Sequence, residues 1–196
     1  MRTLPAWRRR IGETLDVIVT RDPSVRSRTE ALLHPTVLAL VGHRTGSFLH
    51  RHGRCLTARL VCTATKVLTG GIDIHPGARI GRRFFVDHGS GVVVGETAVI
   101  GDDVSLFHQV TLGSVGWWHE REHPGPGGRR HPVLGNGVTV GAGATLLGPI
   151  TIGDDALIGA MSLVLGDVPK GVHVRAPQAV VAQHPHRNGS ERTHES

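Results

Sequence analysis

The chain has 196 residues, enough for one domain with a smaller appendage. Its 27 glycines argue against a helical protein, and four phenylalanines, three tryptophans and no tyrosine argue against an aromatic-rich core. The formal charge of +6 raises nucleic-acid binding as a class, but Arg2, Arg8, Arg9, Arg10, Arg21, Arg26 and Arg28 crowd the first thirty positions. The remaining basic residues are scattered without an aromatic-interleaved patch, so no nucleic-acid partner is expected, and such a surface equally suits a small polyanion.

Residues 1–70 read as a helical N-terminal domain. Ile11, Leu15 and Ile18 fall at helical spacing within Trp7–Val19. Arg21-Asp22-Pro23 then stops the helix, because the residue before proline is pushed out of the helical region. A second apolar segment covers Glu30–Leu49, with Pro35 near a helix start. A third covers Cys55–Leu68. Cys55 and Cys62 lie seven apart, so both are expected on one core-facing side of that helix, with no disulfide framework. Three short helices would cap the open end of the repeat region that begins near residue 71. The N-terminus has no apolar core of a signal peptide and no run approaches transmembrane length, so a cytoplasmic location without a membrane partner is expected.

From Ile74 an aliphatic residue returns every six positions, at Ile80, Val86 and Val92. After a two-residue slip the beat resumes at Ile100, Leu106 and Leu112, and again from Leu134 through Val140, Leu146, Ile152, Ile158 and Val164. Small or branched residues follow four places later, including Ala78, Ser90, Ala98, Val104, Ala144 and Ala156. This period predicts a mainly β fold, a parallel β-helix spanning 71–170 in which each hexapeptide forms one flat side of a prism. Residues 113–132 break the period as an extruded loop rich in Gly, Pro and His. Residues 171–196 form a C-terminal tail, and its polar end is expected to be disordered.

Polar residues decorate coils that a bare prism would leave apolar. They include Asp73-Ile74-His75-Pro76, Asp87-His88-Gly89, Gly95-Glu96-Thr97-Ala98 and, in the loop, Arg130-His131-Pro132. Asp73 and His88 are fifteen apart, close to one coil of about eighteen residues. A carboxylate beside an imidazole raises its basicity and fixes its tautomer, which is the equipment of a general base acting on a hydroxyl. His75 reads as structural. His34, His43, His50, His52, His173, His184, His186 and His194 read as ordinary solvated or hydrogen-bonded side chains.

Together with Gly81-Arg82-Arg83, Val110-Thr111-Leu112-Gly113 and Arg21-Asp22-Pro23, these motifs in this order resemble the serine O-acetyltransferases, left-handed β-helix enzymes of cysteine biosynthesis. The resemblance covers roughly residues 15–170. It implies acetyl transfer from acetyl-CoA, a co-substrate rather than a resident cofactor, to the hydroxyl of L-serine, with no metal. It implies that His88 is the base and Asp73 the carboxylate that orients it. Asp22 and Asp87 would meet the substrate ammonium, and Arg130 and His131 its carboxylate. Backbone amides at Gly113 and Ser114 would face the thioester oxygen. Gly141, Ala142, Gly159 and Ala160 would line the pantetheine arm. The site would form between chains of a homotrimer, or of a hexamer of two trimers.

The chain also departs from the family pattern. The loop is longer than usual, with Trp117 and Trp118 either plugging a neighbouring chain or covering the acceptor, and Met161 stands where a glycine is common. The end, Thr193-His194-Glu195-Ser196, lacks the terminal isoleucine by which family members dock a sulfhydrylase, so that partner is not expected. Two other readings stay open: a related acyltransferase with a different hydroxyl or amine acceptor, and a zinc hydratase resembling γ-class carbonic anhydrases, suggested by His88 and His108 on adjacent coils.

Overall fold

The computed structural model describes residues 6–116, 118 and 125–179. The polar end at 184–196, Trp117, His119 and His123 therefore lie outside the described residues.

Among the described residues four α-helices precede fourteen short strands, with a 3-10 turn (Pro126–Gly128) between the seventh and eighth. They are α1 (Ala6–Arg21), α2 (Arg28–Ala31), α3 (Pro35–Arg51) and α4 (Cys55–Leu68). The second apolar segment is thus split. A single turn capped by Ser27 ends before Pro35, which stands in the first turn of α3, where its missing N–H costs nothing. The hairpin of α3 and α4 packs closely because Gly42 lies against Thr65 and Gly46 against Cys62, where a Cβ on either glycine would collide. The side of α4 that meets α3 carries Ala58, Cys62 and Thr65, at helical spacing. Cys62 is buried, but Cys55 is exposed, because that stripe begins one turn after it.

The strands are β1 (Asp73–Ile74), β2 (Arg79–Ile80), β3 (Phe85–Val86), β4 (Val93–Val94), β5 (Val99–Ile100), β6 (Ser105–Leu106) and β7 (Thr111–Gly113). They continue as β8 (Val133–Leu134), β9 (Thr139–Val140), β10 (Thr145–Leu147), β11 (Thr151–Ile152), β12 (Leu157–Ile158), β13 (Leu163–Val164) and β14 (His173–Val174). Among the described residues all pairings are parallel, giving three faces: β1-β4-β7-β10-β13, β2-β5-β8-β11 and β3-β6-β9-β12-β14. Each strand pairs with the third one on, except that β12 pairs with β14, because the side between β13 and β14 makes only the bridge Ile152–Val168. This is a left-handed parallel β-helix behind a helical segment. The inward residues Leu106, Leu112, Leu134, Leu146, Ile152 and Ile158 are fully buried along the axis, each worth about 1.5–3 kcal/mol of hydrophobic stabilisation.

One detail of the periodicity is corrected. The inward residue of the fourth strand is Val94, not Val92, and Val92 takes the corner position in place of the exposed Ser90. The two-residue slip therefore falls earlier, between Val86 and Val94. It enlarges the corner between the third and first faces, which carries Asp87, His88 and Gly89. Within it His88, Gly89 and Gly91 all take positive φ, and His88 at 58° is an unfavourable place for a side chain other than glycine. The corner between the second and third faces is regular and self-bracing: Asp102, Asn136 and Asp154 each accept a backbone N–H from the coil before, at 2.7–2.8 Å.

The helices close the first coil. Ala39 and Leu40 of α3 join the axis core beside Ile72 and Ile74. The Thr36 hydroxyl donates to Val86 O (2.9 Å) and accepts from Val86 N (3.1 Å), satisfying an edge strand that has no coil below it. Phe85 points outward into a second core with Leu15, Val17, Ile18 and Ala31. Arg21 pins the end of α1 to the prism through the Ser105 hydroxyl (2.8 Å) and Asp103 O (3.1 Å).

Candidate active site

Those anchors bring the end of α1 and the start of α3 to the enlarged corner. Asp22 follows α1 directly, its N–H still bonded to Ile18 O (2.9 Å). Its Oδ1 accepts from Ser24 N (2.9 Å) and Ser24 Oγ (2.6 Å). The Ser24 hydroxyl, then its N–H, hold the Asp22 carboxyl below its ordinary pKa, so it is anionic at neutral pH. His34 Nε2 lies 3.6 Å from Asp22 Oδ2. His88 is largely exposed, and its Nε2 lies 3.8 Å from Asp87 Oδ1. One corner thus gathers Asp22, His34, Asp87 and His88, and the His108 ring of the next coil meets His88 edge-on, 6.0 Å between centroids.

Asp73 is not hydrogen-bonded to His88 in this chain. Its N–H bonds to Val92 O (2.8 Å), which sets it beneath the enlarged corner, but its carboxylate is taken by Lys66 Nζ at 2.8 Å. Residue separation in the sequence suggests the Asp73–His88 pair and gives no sign that the last turn of α4 brings a lysine to the same carboxylate.

Arg130 and His131 lie elsewhere, at the corner between the first and second faces. Arg130 Nη2 bonds to Glu96 Oε2 (2.9 Å), while the N–H groups of Arg130 and His131 both donate to Thr97 Oγ1 (2.9 and 3.1 Å). His131 is buried, its Nδ1 accepting from Thr97 N (3.2 Å) and lying 2.8 Å from Thr97 Oγ1, which places its proton on Nε2. Gly95 makes the room, since a Cβ there would stand 1.9 Å from the His131 ring. A cleft of about 900 Å³ opens below this corner, lined among others by Arg44, Arg51, Arg79, Glu96, Thr97 and Arg129. Glu96 and Thr97 thus support the loop pair, a role their motif did not reveal.

The remaining predicted positions fall on two edges of the prism, Gly113 and Ser114 on the edge that carries Glu96 and Arg130, the others on the edge that carries His88. Gly113 ends β7 on the first face, with Ser114 next to it. Gly141 and Ala142, then Gly159 and Ala160, stack on successive coils of the corner that carries His88 and His108; Gly143 N bonds to His108 O (3.0 Å) and Met161 N to Ala142 O (2.8 Å). Small side chains keep this edge low enough for an extended chain to lie along it. Met161, exposed and at φ 60°, is the bulky exception on the two later coils. Among the described residues no group of three or more His, Cys, Asp or Glu could hold a metal ion, and no helix is long and apolar enough to cross a membrane.

The geometry has counterparts among known proteins. The family model described as "Bacterial transferase hexapeptide (six repeats)" matches residues 131–166. A serine acetyltransferase of Helicobacter pylori is 46% identical over 162 residues, covering 82% of this chain and 90% of that protein. The structure of soybean serine acetyltransferase complexed with serine is 42% identical with a TM-score of 0.78, covering 90% of this chain and 70% of that one. The serine acetyltransferase of Brucella abortus in complex with coenzyme A is 34% identical with a TM-score of 0.79, covering 93% of this chain and 70% of that one. With a curated relative so similar and so fully covered, the chain belongs to the serine acetyltransferase family.

Proposed function

We propose that this protein transfers the acetyl group of acetyl-CoA to the hydroxyl of L-serine, with His88 as general base and with each site shared by two chains of a trimer. The observation that carries the reading is the enlarged corner itself. It presents an accessible imidazole beside two carboxylates, Asp22 and Asp87, on an edge whose later coils are narrowed to Gly and Ala. Relatives solved with serine and with coenzyme A support both substrates.

The acceptor ammonium pairs with Asp22 and Asp87, and its hydroxyl faces His88 Nε2. The imidazole takes the hydroxyl proton as the oxygen attacks the thioester carbon, and the charge on the carbonyl oxygen is met by backbone N–H groups near Gly113 and Ser114 of the neighbouring chain, which share the Arg130 corner. The tetrahedral intermediate collapses with loss of the C–S bond, and the imidazolium returns the proton to the CoA sulfur. Asp87, whose Oδ1 lies 3.8 Å from His88 Nε2, favours the transient imidazolium. The pantetheine arm lies along Gly141, Ala142, Gly159 and Ala160.

Arg130 and His131 meet the substrate carboxylate from the neighbouring chain, because within one chain they stand a full prism side from His88. The two corners complement each other: the His88 corner carries Asp22, Asp73 and Asp87, and the cleft beneath Arg130 carries Arg44, Arg51, Arg79 and Arg129. An enzyme drawing on acetyl-CoA and free serine works in the cytoplasm.

The test is CoA thiol release from acetyl-CoA, screened over L-serine, homoserine, threonine and amino sugars. Release that depends on L-serine and falls about 10²- to 10⁴-fold in His88→Ala, with the oligomer intact, is expected. CoA binding without serine turnover, or a near-wild-type rate in His88→Ala, would overturn the assignment.

A further inference from the structure

His34 lies between the elements that build the acceptor site, and neither its spacing nor the acetyl transfer at His88 assigns it a role. It is the N-cap residue of α3, with extended backbone, and its Nδ1 accepts the Thr36 N–H at 3.3 Å. Nδ1 is therefore the bare nitrogen of the neutral ring, and Nε2 carries the proton. That N–H is aimed at Asp22, 3.6 Å from Oδ2. The ring is stacked on Phe85, centroids 5.5 Å apart, and only 9% of the side chain is exposed. Phe85 immediately precedes Val86-Asp87-His88, and Thr36 is bonded to Val86. His34 thus touches, or sits one residue from, each segment of the acceptor corner. Burial pushes its imidazole below the ordinary range, against the pull of Asp22 and Asp87, which keeps the ring neutral and its Nε2–H available as a donor.

A simple N-cap would need only a small acceptor such as Ser or Asp. An imidazole here does more, because it reaches the Asp22 oxygen that Ser24 leaves untouched. Ser24 holds Oδ1 and His34 faces Oδ2, so the carboxylate is approached from both ends.

We propose that His34 is a positioning residue for the acceptor: its Nε2–H orients the Asp22 carboxylate toward the amino group of an α-amino acid, closing from 3.6 Å to hydrogen-bond distance when that group binds. This rests on the reading of Asp22 as the ammonium partner. Active-site contacts that are long in the free protein commonly tighten with substrate bound.

The experiment uses the full chain and steady-state kinetics in both substrates. His34→Phe keeps the stacking on Phe85 and removes the donor; His34→Gln restores an N–H near the Nε2 position. His34→Phe is expected to raise KM for L-serine about tenfold, with kcat and KM for acetyl-CoA within about twofold, and His34→Gln to recover most of the loss. Asp22→Asn supplies the second arm. In that background His34→Phe should add less than about twofold, because the two residues act through one contact.

An unchanged KM for L-serine in His34→Phe would overturn the proposal. So would a full tenfold effect that persists beside Asp22→Asn, or losses of kcat and both KM values that track a lowered melting temperature. If the unmodified protein shows no serine-dependent CoA release, the acceptor reading itself falls and takes this role with it. Serine turnover with uncoupled variants would overturn the role of His34 alone.

Discussion

Mixing two impaired variants tests whether the site is shared between chains. Arg130 is fixed at the corner after β4 by Glu96 and Thr97, whereas His88 sits at the corner before β4. One prism side of about six residues at about 3.3 Å each separates them, roughly 20 Å, too far for one serine to bridge. In a cyclic trimer every interface is heterologous, so one chain supplies its His88 corner and the next its Arg130 corner. His88→Ala removes the base at a cost of about 10²- to 10⁴-fold. Arg130→Ala removes a charged carboxylate contact, about 2 kcal/mol or close to 30-fold in kcat/KM. Neither variant alone forms an intact site. After equal amounts are unfolded and reassembled together, half of the chains carry an intact His88 and half an intact Arg130. The two meet at an interface with probability one half times one half, so the mixture should recover about one quarter of wild-type kcat/KM for serine. The assay is CoA release at low serine, with the two variants reassembled separately and then combined as the control. A mixture no more active than that control would refute the shared site.

The remaining predictions concern the scaffold. His43 is buried against the prism, its Nε2–H donating to Ala78 O at 3.1 Å, and burial, reinforced by Arg44 and Arg51, lowers its pKa to about 4. The unfolded chain, with an ordinary histidine pKa near 6.5, binds the proton that the folded chain refuses, so stability falls as pH drops from about 6.5 toward about 4, by up to about 3 kcal/mol. Denaturant midpoints of wild type and His43→Gln should converge across that window; a constant difference from pH 7 to pH 4 would contradict this. Leu112→Ala empties a fully buried axis position at the middle coil and should cost about 3 kcal/mol, read as a lowered urea midpoint at matched protein concentration. A loss below about 1 kcal/mol would mean that the axis is not close-packed there.

The prism was legible because its code is local. An inward aliphatic every six residues, with Gly and Asp at the corners, is imposed by the geometry of each side and repeats wherever a side repeats. Where that code is degenerate the sequence misleads. Val92, Val93 and Val94 all suit an inward place, and only strand pairing shows that Val94 takes it, which moves the irregular corner back onto Asp87 and His88. Contacts between separate elements carry no local code. Thr36 binding the edge of β3, Lys66 reaching Asp73, and Glu96 and Thr97 holding Arg130 and His131 all join residues whose spacing is set by packing rather than period. His34 is the sharpest case: by itself it is one histidine among fourteen, and only the docking of α1 and α3 on β3 sets its N–H toward Asp22.

The same distinction bears on the acceptor. On the proposed reading the base and its corner are built into the coil, since His88 stands in the enlarged turn, exposed and in a left-handed position. On the same reading the ammonium end of the site depends on the helical segment, through Asp22 and His34. The carboxylate end would depend on a loop whose root is clamped at Thr97. A coil could therefore keep its chemistry while the helices and the loop change what it acetylates, and on this reading acceptor choice would be decided at the two ends of the substrate rather than at His88. Substitutions at Asp22, His34 and Arg130 should accordingly move KM for the amino acid, whereas substitution of His88 should move kcat.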